Sequence, residues 1–211
     1  MKKKLLGLSI LGTFLSMSAL AAGPVANIQV TGDIKPPTCL INNGDDEIIF
    51  EFNIAPSLLP LDGNLTLESQ SLPLEVQCDA TTYLSLTPID NRSGTELISG
   101  LYNYGLGTYN DEDIGFYEIF LKNGFVRATP TSEAVEASFR KSLTNLTYDS
   151  FRLDKTASTS WTKGSGNSEF ASGQVFIADI SVRPTINGAL RNVTDSVELD
   201  GETTLQFSFG L

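Results

Sequence analysis

"VELDGETTLQFSFGL", residues 197–211, closes the chain and decides how the rest is read. Val197, Leu199, Leu205, Phe207, Phe209 and Leu211 share one parity in it. An apolar residue at every second position marks a strand with one buried face. Chain ends fray unless neighbours hold them. A strand placed here therefore needs a sheet to join, and a partner for its free edge.

Working back from this stretch, period-2 runs recur and helical periodicity is hard to find. "IQVTGDI" puts Ile28, Val30 and Ile34 on one face, and "EIIFEFNI" does the same for Ile48, Phe50, Phe52 and Ile54. "LTLESQSLPLEVQC" aligns Leu72, Leu74, Val76 and Cys78, and "YLSLTPI" aligns Leu84 and Leu86 before Pro88 ends its pattern. "GFYEIFLK" is apolar on both faces around Phe116 and Tyr117, and "QVFIADISVRPTI" is a further strand. Between the runs stand "NNGDD", "PLDGN", "DNRSG", "LKNG", "KGSGN", "INGA" and "LDGE", each with the Gly, Asn and Asp chemistry of turns. The fold class this predicts is all-β, an antiparallel sandwich in a single domain. Thr129 to Phe139 is expected to form a short helix. "TASTSWTKGSGNSE", residues 156–169, is expected to be a long polar loop that carries the single tryptophan, Trp161.

The other end of the chain speaks to compartment. "MKKK" followed by the apolar "LLGLSILGTFLSMSALA" and Ala19-Leu20-Ala21 reads as a secretory signal peptide over residues 1–21. The apolar run is interrupted by Gly and Ser and is shorter than the roughly 20 residues a membrane span prefers. Its removal takes three of the 14 basic side chains and none of the 25 acidic ones, so residues 22–211 carry a net charge of −14. Such a chain is repelled by phosphate backbones, which excludes nucleic acid as a partner. Cys39 and Cys78 both follow the signal, and an exported pair is most simply one disulfide. A loop of that size contributes about 4 kcal/mol on the chain-entropy model.

Catalysis finds little footing. The chain has no histidine, so the usual general base and the commonest metal ligand are both missing. Asp45, Asp46 and Glu47, like Asp111, Glu112 and Asp113, sit at turns and read as solvated acids rather than a catalytic pair or a calcium loop. No enzyme, metal site or cofactor is expected. Trp161 in its polar loop is a candidate for stacking on a sugar. Asn64, Asn91, Asn145 and Asn192 begin glycosylation sequons by spacing alone.

"VTGDIKPPTC" after a signal peptide resembles the opening of chaperone–usher fimbrial subunits. Together with "LPLEVQCDATTYLSLTPIDNRSG", "YGLGTYNDEDIGFYEIFL" and "ELDGETTLQFSFGL" it is most similar to the fimbrial-like beta-fimbria subunit family. Residues 125–170 carry no matching motif. The resemblance implies an immunoglobulin-like sandwich lacking its last strand, with strand donation as the mode of assembly. It also implies a bacterial source, in which the sequons would go unused. Residues 22–31 would be the donor extension, with Val25, Ile28 and Val30 as inserting side chains. Leu205, Phe207, Phe209 and Leu211 would line the groove edge. The implied partners are a periplasmic chaperone, an outer-membrane usher and other fimbrial subunits, and the implied destination is the cell surface. The alternative is a single-domain carbohydrate-binding adhesin or tip protein, with Trp161 and residues 109–170 forming the site for a host glycan. The chain departs from the family's usual ending, with Gly210 penultimate and Phe209 before it.

Non-reducing alkylation followed by mass spectrometry of the exported protein should label neither Cys39 nor Cys78. Labelled thiols in folded material would remove the disulfide.

Overall fold

The computed structural model describes residues 26–142 and 144–210. The expected signal peptide, Val25 and Leu211 lie outside these. The chain divides into a segment ending at Ile34 and a body from Lys35 onward. Residues 26–34 form neither helix nor strand, and Ile28 and Val30 are each 91% exposed.

The body is all-β and its ladders are antiparallel. Its strands are β1 (Cys39–Ile41), β2 (Asn64–Thr66), β3 (Gln70–Asp90), β4 (Tyr104–Gly105), β5 (Thr108–Tyr109), β6 (Glu112–Asp113) and β7 (Gly115–Arg127). They continue with β8 (Val135–Lys141), β9 (Thr147–Tyr148), β10 (Ser150–Arg152), β11 (Thr159–Thr162), β12 (Ser172–Asn187) and β13 (Thr203–Phe209). Only short 3₁₀ turns interrupt them, at Asn42–Gly44, Pro56–Leu58 and Gly188–Asn192.

Two long strands organise the layers. The first half of β3 lies between β1 and β12, and its second half between β11 and β13. β12 pairs along its length with β7, while β7 passes to β8 and β8 to β11. The ladder β3–β11–β8–β7–β12 therefore closes on itself in a sandwich-like body. Along β3 the buried residues are Leu74, Val76 and Cys78, then Leu84, Leu86 and Pro88, all of one parity. The alternation thus continues through Pro88 instead of stopping there.

Three local expectations are corrected. Thr129 to Phe139 is not a helix: Val135 onward is strand β8, held between β7 and β11, with Ala137, Ser138 and Phe139 all buried. The ladders on both sides outweigh the helical preference of its Glu and Ala residues. "LKNG" is not a turn between strands but a bulge inside β7. Ile177 faces Phe125 while Asp179 faces Lys122, and Asn123 takes a φ of 51°. There β7 exchanges one neighbour, β10, for another, β8. Gly124 is required because a Cβ would lie 2.5 Å from the carbonyl oxygen of Ala137.

The third correction concerns Trp161. It belongs to strand β11 and is 0% exposed, so it cannot meet a sugar. Its ring packs edge-on against Phe139 and Phe176, with centroids 5.6 and 5.8 Å away, and its indole N–H donates to the Ile177 carbonyl at 3.0 Å. Truncating a buried aromatic of this kind costs about 3–5 kcal/mol. The disulfide expected from the sequence is formed, with Cys39 and Cys78 directly opposite in the β1–β3 ladder.

Buried acids complete the body. Glu118 on β7 is bonded by Arg152 and Arg183, and Asp154 by Lys141 and Thr156. Burial alone would raise both carboxyl pKa values, but these partners outweigh it and hold both below the usual carboxylate range. Folded pKa values that lie below the unfolded ones stabilise the fold above the ordinary range near about 4, and that stability is lost as pH falls through the depressed values. Thermal melts from neutral pH downward should therefore fall steeply below about pH 4. Glu118→Gln should cost about 1–3 kcal/mol at neutral pH and flatten that fall, and an unchanged profile would show that the pairs contribute nothing.

Candidate functional site

The chain's most distinctive feature is the edge of β13. Asn91 N–H donates to Glu202 O at 3.0 Å and Gly210 N–H to Tyr83 O at 3.2 Å, bracketing the β13–β3 ladder. Antiparallel strands alternate hydrogen-bonded and non-bonded pairs. Even-numbered β13 residues therefore bond to β3, and Thr203, Leu205, Phe207 and Phe209 aim their N–H and C=O groups at the opposite edge. Among the described residues no ladder meets that edge. The same parity explains Pro88: it faces Leu205 in a non-bonded pair, so its nitrogen points away from β13, beyond the last β11 pairing at Leu86.

Side chains on this strand are only half covered. Leu205 and Phe207 are partly buried against the core, whereas Phe209 is 41% exposed. Ahead of the strand, Val193, Val197 and Leu199 also pack on the core. The beginning of β13 is fastened firmly. Tyr117 Oη and Thr203 Oγ1 share a hydrogen bond of 2.6 Å, and Arg92 pairs with Asp200 at 2.8 Å and Glu202 at 3.0 Å. Burial pushes the Tyr117 hydroxyl far above its ordinary range, so it remains neutral. The Arg92 hydrogen bond holds the Asp200 carboxyl below its usual value.

A second alternating segment shares the same core. Ile48, Phe50, Phe52 and Ile54 are partly buried, with Ile49, Glu51 and Asn53 exposed between them. This is the burial pattern of a strand, yet among the described residues the segment joins no ladder. The two segments meet at a cavity of about 300 Å³. Phe52 and Ile54 line it from one side, Val197 and Leu199 from the other, and Ile114 and Ile186 form its buried floor.

Of the residues expected to line an edge, Leu205 and Phe207 do so, Phe209 does so more openly, and Leu211 lies outside the described residues. Ile28 and Val30 belong to the separate N-terminal segment. The alternation of 48–54 was legible as a strand but not as a wall, because periodicity identifies a buried face without saying whether the backbone edge is paired. Ile114 and Ile186 carried no signal beyond being apolar. Among the described residues no group of His, Cys, Asp and Glu is placed to hold a metal ion. A scan against protein-family models and a search of curated proteins both find no match to this chain.

Phe207→Asp should place a charge on the covered side of β13. Full burial of such a side chain is worth about 1.5–3 kcal/mol, and a buried unpaired charge costs more. The expected result is a several-fold loss of folded, exported protein, with Ser208→Asp, on the exposed parity, much milder. Equal yields would show that the strand has no covered face.

Proposed function

We propose that the chain is a structural or minor subunit of a bacterial surface fimbria and has no catalytic role. In this reading its fold is an immunoglobulin-like sandwich lacking its last strand. A periplasmic chaperone lends a strand, and after delivery to an outer-membrane usher the N-terminal extension of the neighbouring subunit replaces it. The open edge of β13 carries the reading. Four residues present unpaired backbone groups there, above apolar side chains that are only half covered. An added strand would satisfy both at once, as in β-augmentation.

The other half of the exchange is the segment around Ile28 and Val30. Its apolar residues alternate and are exposed, which suits a strand whose groove is supplied by another subunit. The disulfide is compatible with passage through an oxidising compartment.

Deletion of residues 22–31 after the signal separates the two halves. The shortened subunit should still co-purify with its chaperone and accept a donor, but it cannot donate, so it should terminate fibres instead of extending them. Electron microscopy and length distributions provide the readout. Fibres of normal length built from the shortened chain would overturn the donor assignment.

A further inference from the structure

We infer that a shallow pocket flanking β10 binds a neutral pyranose ring. It measures about 280 Å³ and is lined by Tyr102, Lys141, Thr144, Tyr148, Ser150 and Arg152, close to the lower bound of about 300 Å³ for small-ligand sites. Its aromatic groups are supported from behind. The Tyr148 ring is 42% exposed and rests on Phe151 at 5.5 Å between centroids. The Arg152 guanidinium lies 4.1 Å from the centre of the Tyr102 ring.

The charges narrow the ligand class. Both cations are compensated by acids beneath them, Lys141 by Asp154 and Arg152 by Glu118. No uncompensated positive charge remains in the lining to draw a phosphate or carboxylate, and the chain as a whole carries −11. Hydrogen-bonding capacity does remain. An ammonium has three N–H donors and a guanidinium five. Lys141 bonds Asp154 and Arg152 bonds Glu118, and those pairings fix the orientation of the spare donors. Ser150 adds an exposed hydroxyl on β10. A pyranose offers the matching surface, an apolar C–H face for a tyrosine ring and a rim of hydroxyls for oriented donors and acceptors. The sugar contact thus falls to tyrosines in the same region and not to Trp161.

The test is independent of how the chain assembles, because it can be run on the purified exported protein either free or bound to a donor strand. Saturation-transfer NMR with methyl α-mannopyranoside, methyl β-galactopyranoside and N-acetylglucosamine should detect at least one ligand with a Kd of about 1 mM or tighter. N-acetylneuraminic acid is the anionic comparison and should bind more weakly. Tyr148→Ala removes the platform, and Ser150→Trp fills the pocket from an exposed strand position. Each should weaken binding by about tenfold or more, while Tyr83→Ala, at an exposed tyrosine on β3, should leave it unchanged. If Tyr148→Ala does not fold, Ser150→Trp decides alone. Failure of all three neutral sugars to bind, binding of the anionic sugar alone, or affinity unmoved by the pocket variants would each overturn the proposal.

Discussion

Backbone N–H and C=O groups must be paired wherever water is excluded, and the outer edge of β13 leaves those of Thr203, Leu205, Phe207 and Phe209 without a ladder partner. Much of the architecture leads to this edge. The parity that directs these groups outward is set by the ladder to β3, bracketed by the bonds at Asn91 and Gly210. The Tyr117–Thr203 and Arg92–Asp200 bonds fasten the beginning of the strand. An edge held in place this firmly is preorganised for a partner, since little ordering entropy is left to lose on pairing.

The disulfide acts on the same feature from the other side. Cys39 and Cys78 tie β1 to the first half of β3, and the Asn42–Gly44 turn follows directly. Asn42 Oδ1 accepts a bond from the Glu75 N–H, and Gln70 Nε2 donates to the Glu51 carbonyl. The segment holding Ile48, Phe50, Phe52 and Ile54 is therefore positioned by the bridge, the turn and two side-chain bonds, although it joins no ladder. Loss of the bridge would release this wall as well as the roughly 4 kcal/mol of chain entropy.

How much of this the sequence reveals depends on which force decides each element. Strands with one covered face, such as β3 and β13, declare themselves through period-2 alternation. The disulfide follows from two cysteines after an export signal. Elements decided by non-local pairing do not declare themselves. Glu133, Ala134, Glu136 and Ala137 favour a helix locally, and only the ladders to β7 and β11 make their region strand. Trp161 sits among Ser, Thr and Gly and reads as loop, because the Phe139 and Phe176 rings that bury it are distant in sequence. The pocket around Tyr102 and Tyr148 was hidden for the same reason.

Composition along β13 sharpens the argument about its edge. Natural sheets protect open edges with lysines, prolines, bulges or inward-pointing charges. "TTLQFSF" has no charged residue and no proline, and its register with β3 runs without a bulge. Short β-prone segments with low charge are also the ones that aggregate when left uncovered. The chain is rich in acids, so charge was available for this strand but is placed elsewhere: at Asp200 and Glu202 just before it, where Arg92 holds both. An edge that is uncharged, regular and apolar on its covered face is suited to continuous cover by another strand. A lone copy in water would carry it as a liability, and that places the selective pressure on pairing instead of on solubility.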